Sequence, residues 1–154
     1  MSFISKLGTK IGNAIRKGHR DGIPTATEPS IPTAAPILEN RELSSEERQF
    51  IEWLLEHGAP DAKLYASQLP VLRVASRCGC GCPTIDLDVG DGKANIYGPS
   101  HILADFYGTT ADGVEVGVIL HAREGKIAEL EIYPLGQTVT SLPRVESLWG
   151  PQNS

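Results

Sequence analysis

Cys78, Cys80 and Cys82 are the only cysteines in the chain, and they alternate with glycine in the stretch SRCGCGCPTIDLDV, residues 76–89. Thiolates this close can hold a metal, exchange as a dithiol, or simply pack as small apolar groups. Geometry decides among these uses. In a straight strand Cys78 and Cys82 would stand about 13 Å apart at ~3.3 Å per residue, too far to share an ion bound at ~2.3 Å per sulfur. A bend at Gly79 and Gly81 brings three sulfurs together for zinc, with His101, His121 or Asp86 available as a fourth ligand. The one-residue spacing differs from the two-residue or longer gaps of most structural zinc pairs, and free cysteine is commonly core. Zinc, a thiol switch and packing therefore all remain open, with packing favoured by spacing alone. An odd number of cysteines argues against a disulfide framework and for a reducing, cytoplasmic setting.

The second grouping with chemistry in it is a histidine among carboxylates. His121 falls in VEVGVILHAR with acids at alternate positions of the neighbouring segments, the setting of a general base. No serine or cysteine nucleophile stands beside it in the register derived below, so catalysis is not the expected use. The same alternation gathers Asp105, Tyr107, Glu115, Ile119, His121, Glu129, Glu131 and Tyr133 on one sheet face, mixing aromatics with acids. Such a face suits a basic protein partner. The formal charge of −5 is uneven: residues 1–20 carry five bases and no acid, so the rest of the chain holds −10. That field disfavours nucleic acid. Compact acidic character of this kind is similar to that of small bacterial immunity or antitoxin proteins, which implies a non-enzymatic protein-binding module.

These residues need elements to hold them. LSSEERQFIEWLLEHGAP predicts a helix: Ser44 and Glu47 form a capping box, Phe50, Ile51, Leu54 and Leu55 make one apolar stripe, and Gly58 with Pro60 stops it. A second short helix is expected over Asp61–Leu69. Beyond it the apolar period changes to two. Ile102, Ala104 and Phe106, then Val114 to Ala122, then Ala128, Leu130 and Ile132 all share even parity, which predicts a three-stranded meander. Preserving parity calls for three-residue loops, Ala111–Gly113 and Arg123–Gly125. These pair Phe106 with Val118 and Ala104 with Leu120, and then Val118 with Leu130 and Val116 with Ile132. His121 would then face Leu103 and Ile127, with Asp105 and Glu129 on the diagonals. Leu72 and Val74 are in phase with the cysteines, whereas Ile85, Leu87 and Val89 are not, so a bulge or sharp bend is expected in CGCGCP. The fold class is α+β, with one or two N-terminal helices on an antiparallel sheet of about four to five strands that ends in the meander.

Residues 1–20 place Phe3, Ile4, Leu7, Ile11 and Ile15 at helical spacing opposite the bases, an amphipathic segment suited to an anionic membrane surface or a partner. Residues 21–40 carry four prolines and predict a flexible linker, with the α+β domain at 41–148 and a tail at 149–154. No apolar run reaches the ~20 residues of a transmembrane helix, and glycines and lysines interrupt any secretory signal. The strand RCGCGCPTIDL, preceded by ELSSEERQFIEWLL and followed by VGVILHAREGKIAELEIY and SLP, resembles a group of bacterial proteins without an established activity. That resemblance covers about residues 41–143.

Overall fold

The computed structural model describes residues 34–150. The expected amphipathic helix at 1–20, most of the expected linker and the end of the tail lie outside this range.

The first strand, β1 (Ile37–Glu42), begins inside the stretch expected to be linker. The prolines of that stretch end at Pro36, so nothing after it blocks ladder hydrogen bonding. Helix α1 (Ser45–His57) follows with the expected cap: Glu47 N–H donates to Ser44 Oγ at 3.1 Å and Ser44 N–H to the Glu47 carboxylate at 2.8 Å. Its buried residues are the predicted stripe, Phe50, Ile51, Leu54 and Leu55. The second helix is a 3₁₀ run over Ala62–Val71. Pro70 lies within it, and a proline at that point cannot support a regular α-helical ladder.

Five more strands complete one six-stranded antiparallel sheet: β2 (Arg73–Arg77), β3 (Ile85–Asp88), β4 (His101–Thr109), β5 (Glu115–Arg123) and β6 (Lys126–Pro134), in the order β1-β2-β3-β6-β5-β4. The sheet is larger than expected by β1. β4, β5 and β6 form the predicted meander. Its inner face, led by Phe106, Val118, Leu120, Leu130 and Ile132, joins Val74, Ile85 and Leu87 in one core with the α1 stripe. The seam between β3 and β6 is short, pairing Ile85 with Leu130 and Asp86 with Glu129. Thr84 extends it by side chain: its Oγ1 accepts from Ile132 N–H at 2.9 Å and donates to Ile132 O at 3.1 Å.

The turn at Ala111–Gly113 and the pairings Phe106–Val118 and Ala104–Leu120 are as expected. The turn between β5 and β6 is not. It is a two-residue loop, Glu124 and Gly125, both at positive φ (52° and 75°), the geometry that suits a tight hairpin. An extra residue in β6 then restores parity, giving Val118–Ile132, Leu120–Leu130 and His121–Glu129 pairs. Ile127 and Ala128 are both buried around this irregularity. A second shift, between Ile102 and Ala104, accompanies a buried Leu103 and an exposed Ile102. After β6 the chain returns along β4, where Tyr107 and Trp149 exchange backbone hydrogen bonds of 2.8 and 2.9 Å.

Candidate functional site

The cysteines occupy the hairpin loop between β2 and β3, so the phase change seen in the sequence is a reversal of chain direction. Cys78 N–H donates to Thr84 O at 3.1 Å across the neck, and Gly81 N–H donates to Cys78 O at 3.3 Å, closing a turn around Gly79 and Cys80. Gly81 takes φ 92°, a left-handed value that glycine adopts without strain. Gly79 has a different role. A methyl group there would lie 2.2 Å from Ala35 O, so the close approach of the residues just before β1 requires its bare backbone.

This fold of the loop brings the three Sγ atoms within 4.8 Å of one another. Cys78 and Cys80 lie 2.8 Å apart, and Cys82 N–H points at Cys80 Sγ at 3.4 Å. None of the three is buried: Cys80 is exposed and the others are half-buried, with Cys82 resting against the core. Packing alone therefore does not account for all three. The Cys78 thiol is pushed up to about 11, first by its hydrogen bond with Cys80. Cys80 is held below the ordinary thiol value by that same hydrogen bond and by the Cys82 N–H. The same hydrogen bond therefore makes the exposed Cys80 the readier of the two to give up its proton. Three such sulfurs are close enough to bind one metal ion.

The side chains expected as a fourth ligand are engaged elsewhere. His101 Nε2 meets Asp61 at 2.6 Å, Asp86 accepts from Ser76 Oγ at 2.7 Å, and His121 lies between Glu131 and Ser100. Among the described residues the cluster consists of the cysteines alone.

The predicted acidic and aromatic face is assembled in rows by the register. Tyr107, Gly117 and Tyr133 form one row across β4, β5 and β6, and Asp105, Ile119 and Glu131 form the next. A methyl group on Gly117 would lie 2.0 Å from Tyr133 Cζ, so the missing side chain is what lets that ring lie across β5. The Tyr133 hydroxyl is raised above its ordinary value, first by burial and then by the negative field of Tyr107, Asp105 and Glu131. Trp149 extends the aromatic row, its ring tilted 39° to Tyr107 with centroids 4.9 Å apart. Glu115 lies at the end of β5 beside them, in a cleft of about 340 Å³ that it shares with Tyr107, Leu135 and Trp149.

At the other end of the face, Glu129 is neutralised by Arg123 at 2.9 Å. His121 faces Ile102 and Glu129 instead of Leu103 and Ile127, because of the two irregularities. Its Nε2 meets Glu131 Oε2 at 2.9 Å and its Nδ1 meets Ser100 Oγ at 2.5 Å. A neutral ring donating from Nε2 to the carboxylate accepts from the Ser100 hydroxyl at Nδ1. The sequence register missed Ser100 because it precedes β4 in a segment without periodicity. Trp149 stands in the expected tail, and its spacing from the meander gives no sign that it pairs with Tyr107.

The chain matches no known family model, no characterised protein and no solved structure with which it was compared.

Proposed function

We propose that the domain is a thiolate metal-binding module in which Cys78, Cys80 and Cys82 hold one zinc ion and leave a fourth position to a ligand from outside the cysteine loop. The observation that carries this reading is the convergence of three Sγ atoms within 4.8 Å. Tetrahedral zinc with ~2.3 Å bonds needs sulfurs about 3.8 Å apart, so a modest opening of the Cys78–Cys80 contact suffices. Thiolates favour zinc and other soft ions over magnesium or calcium. Three protein ligands with one open position is the pattern of zinc sites that exchange ligands, whereas closed four-ligand sites are structural. Protein purified without chelator should carry about one zinc per chain by elemental analysis, and stripping the ion should lower its melting temperature. Cys80→Ser should lose most of the metal. Metal-free protein that neither takes up added zinc nor melts differently in its presence would refute the proposal.

The second reading concerns the outer sheet face, favoured by the adjacency of an aromatic row to a carboxylate row. It makes the domain a binding module for a basic protein, immunity-like in character. With Glu129 paired to Arg123, the carboxylates that remain for a partner are Asp105, Glu115 and Glu131, the last of which also meets His121 Nε2 at 2.9 Å. Reversing Asp105 and Glu131 to lysine should abolish low-salt capture of an octa-arginine peptide. Unchanged capture would remove this face from consideration.

A further inference from the structure

Resting on the second reading, we propose that the cleft between Tyr107, Trp149, Leu135 and Glu115 is the socket for one arginine or lysine side chain of the basic partner. The socket is built before any ligand arrives. Trp149 is fixed to β4 by its two backbone hydrogen bonds with Tyr107. Gly108 makes room for the segment that carries it, since a methyl group there would lie 2.7 Å from Leu148 Cδ2. Ser147 adds a third tether, its Oγ accepting from Thr109 N–H at 2.8 Å.

Despite this anchoring, the Trp149 side chain is left open, with the residue 59% exposed, and Leu135 beside it is 49% exposed. A large aromatic residue held rigidly yet uncovered is the arrangement found at binding anchors. The volume of about 340 Å³ is at the small end of ligand pockets and fits one long side chain better than a larger ligand.

Charge selects the class of occupant. Glu115 is the charged residue lining the cleft, and no lysine, arginine or histidine lines it among the described residues. Asp105 and Glu131 add negative potential from the neighbouring row. A guanidinium or ammonium placed there meets an aromatic face and a carboxylate together, whereas a neutral group of the same shape meets only the apolar walls.

The test uses the full chain and the indole N–H signals of its two tryptophans, Trp53 and Trp149, in ¹H–¹⁵N spectra, with Trp149→Phe assigning the second. N-acetyl-arginine amide is titrated against N-acetyl-citrulline amide, which has the same shape without charge. Arginine should shift the Trp149 signal, leave that of Trp53 in place, and bind about fivefold or more tighter than citrulline. Glu115→Gln should weaken arginine about threefold. Equal responses to the two probes, or none at about 50 mM, where a single cation–π contact should register, would overturn the socket. A shift of Trp149 with protein concentration alone would also overturn it, by showing that a second copy fills the cleft. Octa-arginine separates this proposal from its parent reading. Capture that depends on Asp105 and Glu131 without any response at Trp149 keeps the face and refutes the socket, and no capture at all refutes both.

Discussion

Replacing Gly58 with alanine would set a methyl group against two backbone carbonyls. The added Cβ would lie 2.1 Å from Leu103 O and 2.7 Å from Leu54 O, with Ala104 Cβ at 3.1 Å. An ordinary carbon–oxygen contact is roughly 3.2 Å, so either the end of α1 or the irregular start of β4 must retreat by about 1 Å. Neither is a flexible side-chain tip. The retreat breaks the 2.8 Å hydrogen bond from Ala59 N–H to Leu103 O, which costs about 1–3 kcal/mol when the groups are left without partners. Forced displacement of packed backbone adds about 1–3 kcal/mol. Gly58 has φ −82° and ψ −146°, a pair outside the ranges alanine favours, so the unfolded-state gain of a compatible glycine-to-alanine change does not apply. The net loss is about 2–6 kcal/mol, a large share of the roughly 5–15 kcal/mol of a typical domain. Urea unfolding should show the midpoint falling by about 1–3 M at unchanged slope. Gly136→Ala is the matched control, since a methyl group there meets nothing within 4 Å. It should be neutral or slightly stabilising. A Gly58→Ala variant within about 0.5 kcal/mol of the parent would refute the claim that this helix end and β4 are in rigid backbone contact.

Glu47 makes the acid side of stability testable. Burial opposes its ionisation, but two 2.9 Å hydrogen bonds from Arg41 and one from Ser44 N–H outweigh burial and hold it below its ordinary value of 4.5. Its contribution is therefore complete above the unfolded value and is lost as pH falls through the folded one; Glu47→Gln should cost about 1 kcal/mol at pH 7 and flatten the stability profile below about pH 4.5. Thr84→Val should cost about 1–3 kcal/mol by leaving Ile132 N–H without its partner, and should speed hydrogen exchange at that amide about tenfold or more, while Thr84→Ser should keep both.

The sequence was most informative where one physical rule acted alone. The capping box, the α1 stripe and most of the meander's inner face follow from local hydrogen bonding and period and stand as expected, the exceptions being the exposed Ile102 and the buried Leu103 and Ile127 at the two irregularities. The turn at Glu124–Gly125 shows the limit. Parity correctly required an odd residue, but an extra residue in the loop and an extra residue in the strand satisfy the alternation equally well, and the chain uses the strand. That choice moved His121 opposite Glu129. The cysteines were readable as a bend, since glycine and proline break a ladder, but which side chains face the loop depends on contacts distant in sequence. Trp149 and Ser100 were invisible for the same reason, each being placed by a backbone pairing or hydrogen bond that no period announces.

The short seam between β3 and β6 bears on the order in which the chain folds. The β2–β3 hairpin and the β4–β5–β6 meander are each joined by short or moderate loops, so each closes at small entropic cost. Bringing Ile85 to Leu130 closes a far longer loop for only two paired positions and the Thr84 side chain. Contacts that close long loops for few bonds are slow to form. The meander and the hairpin that presents the cysteines are therefore expected to form first and to dock late along this seam. On that route the three sulfurs can gather before the sheet is complete.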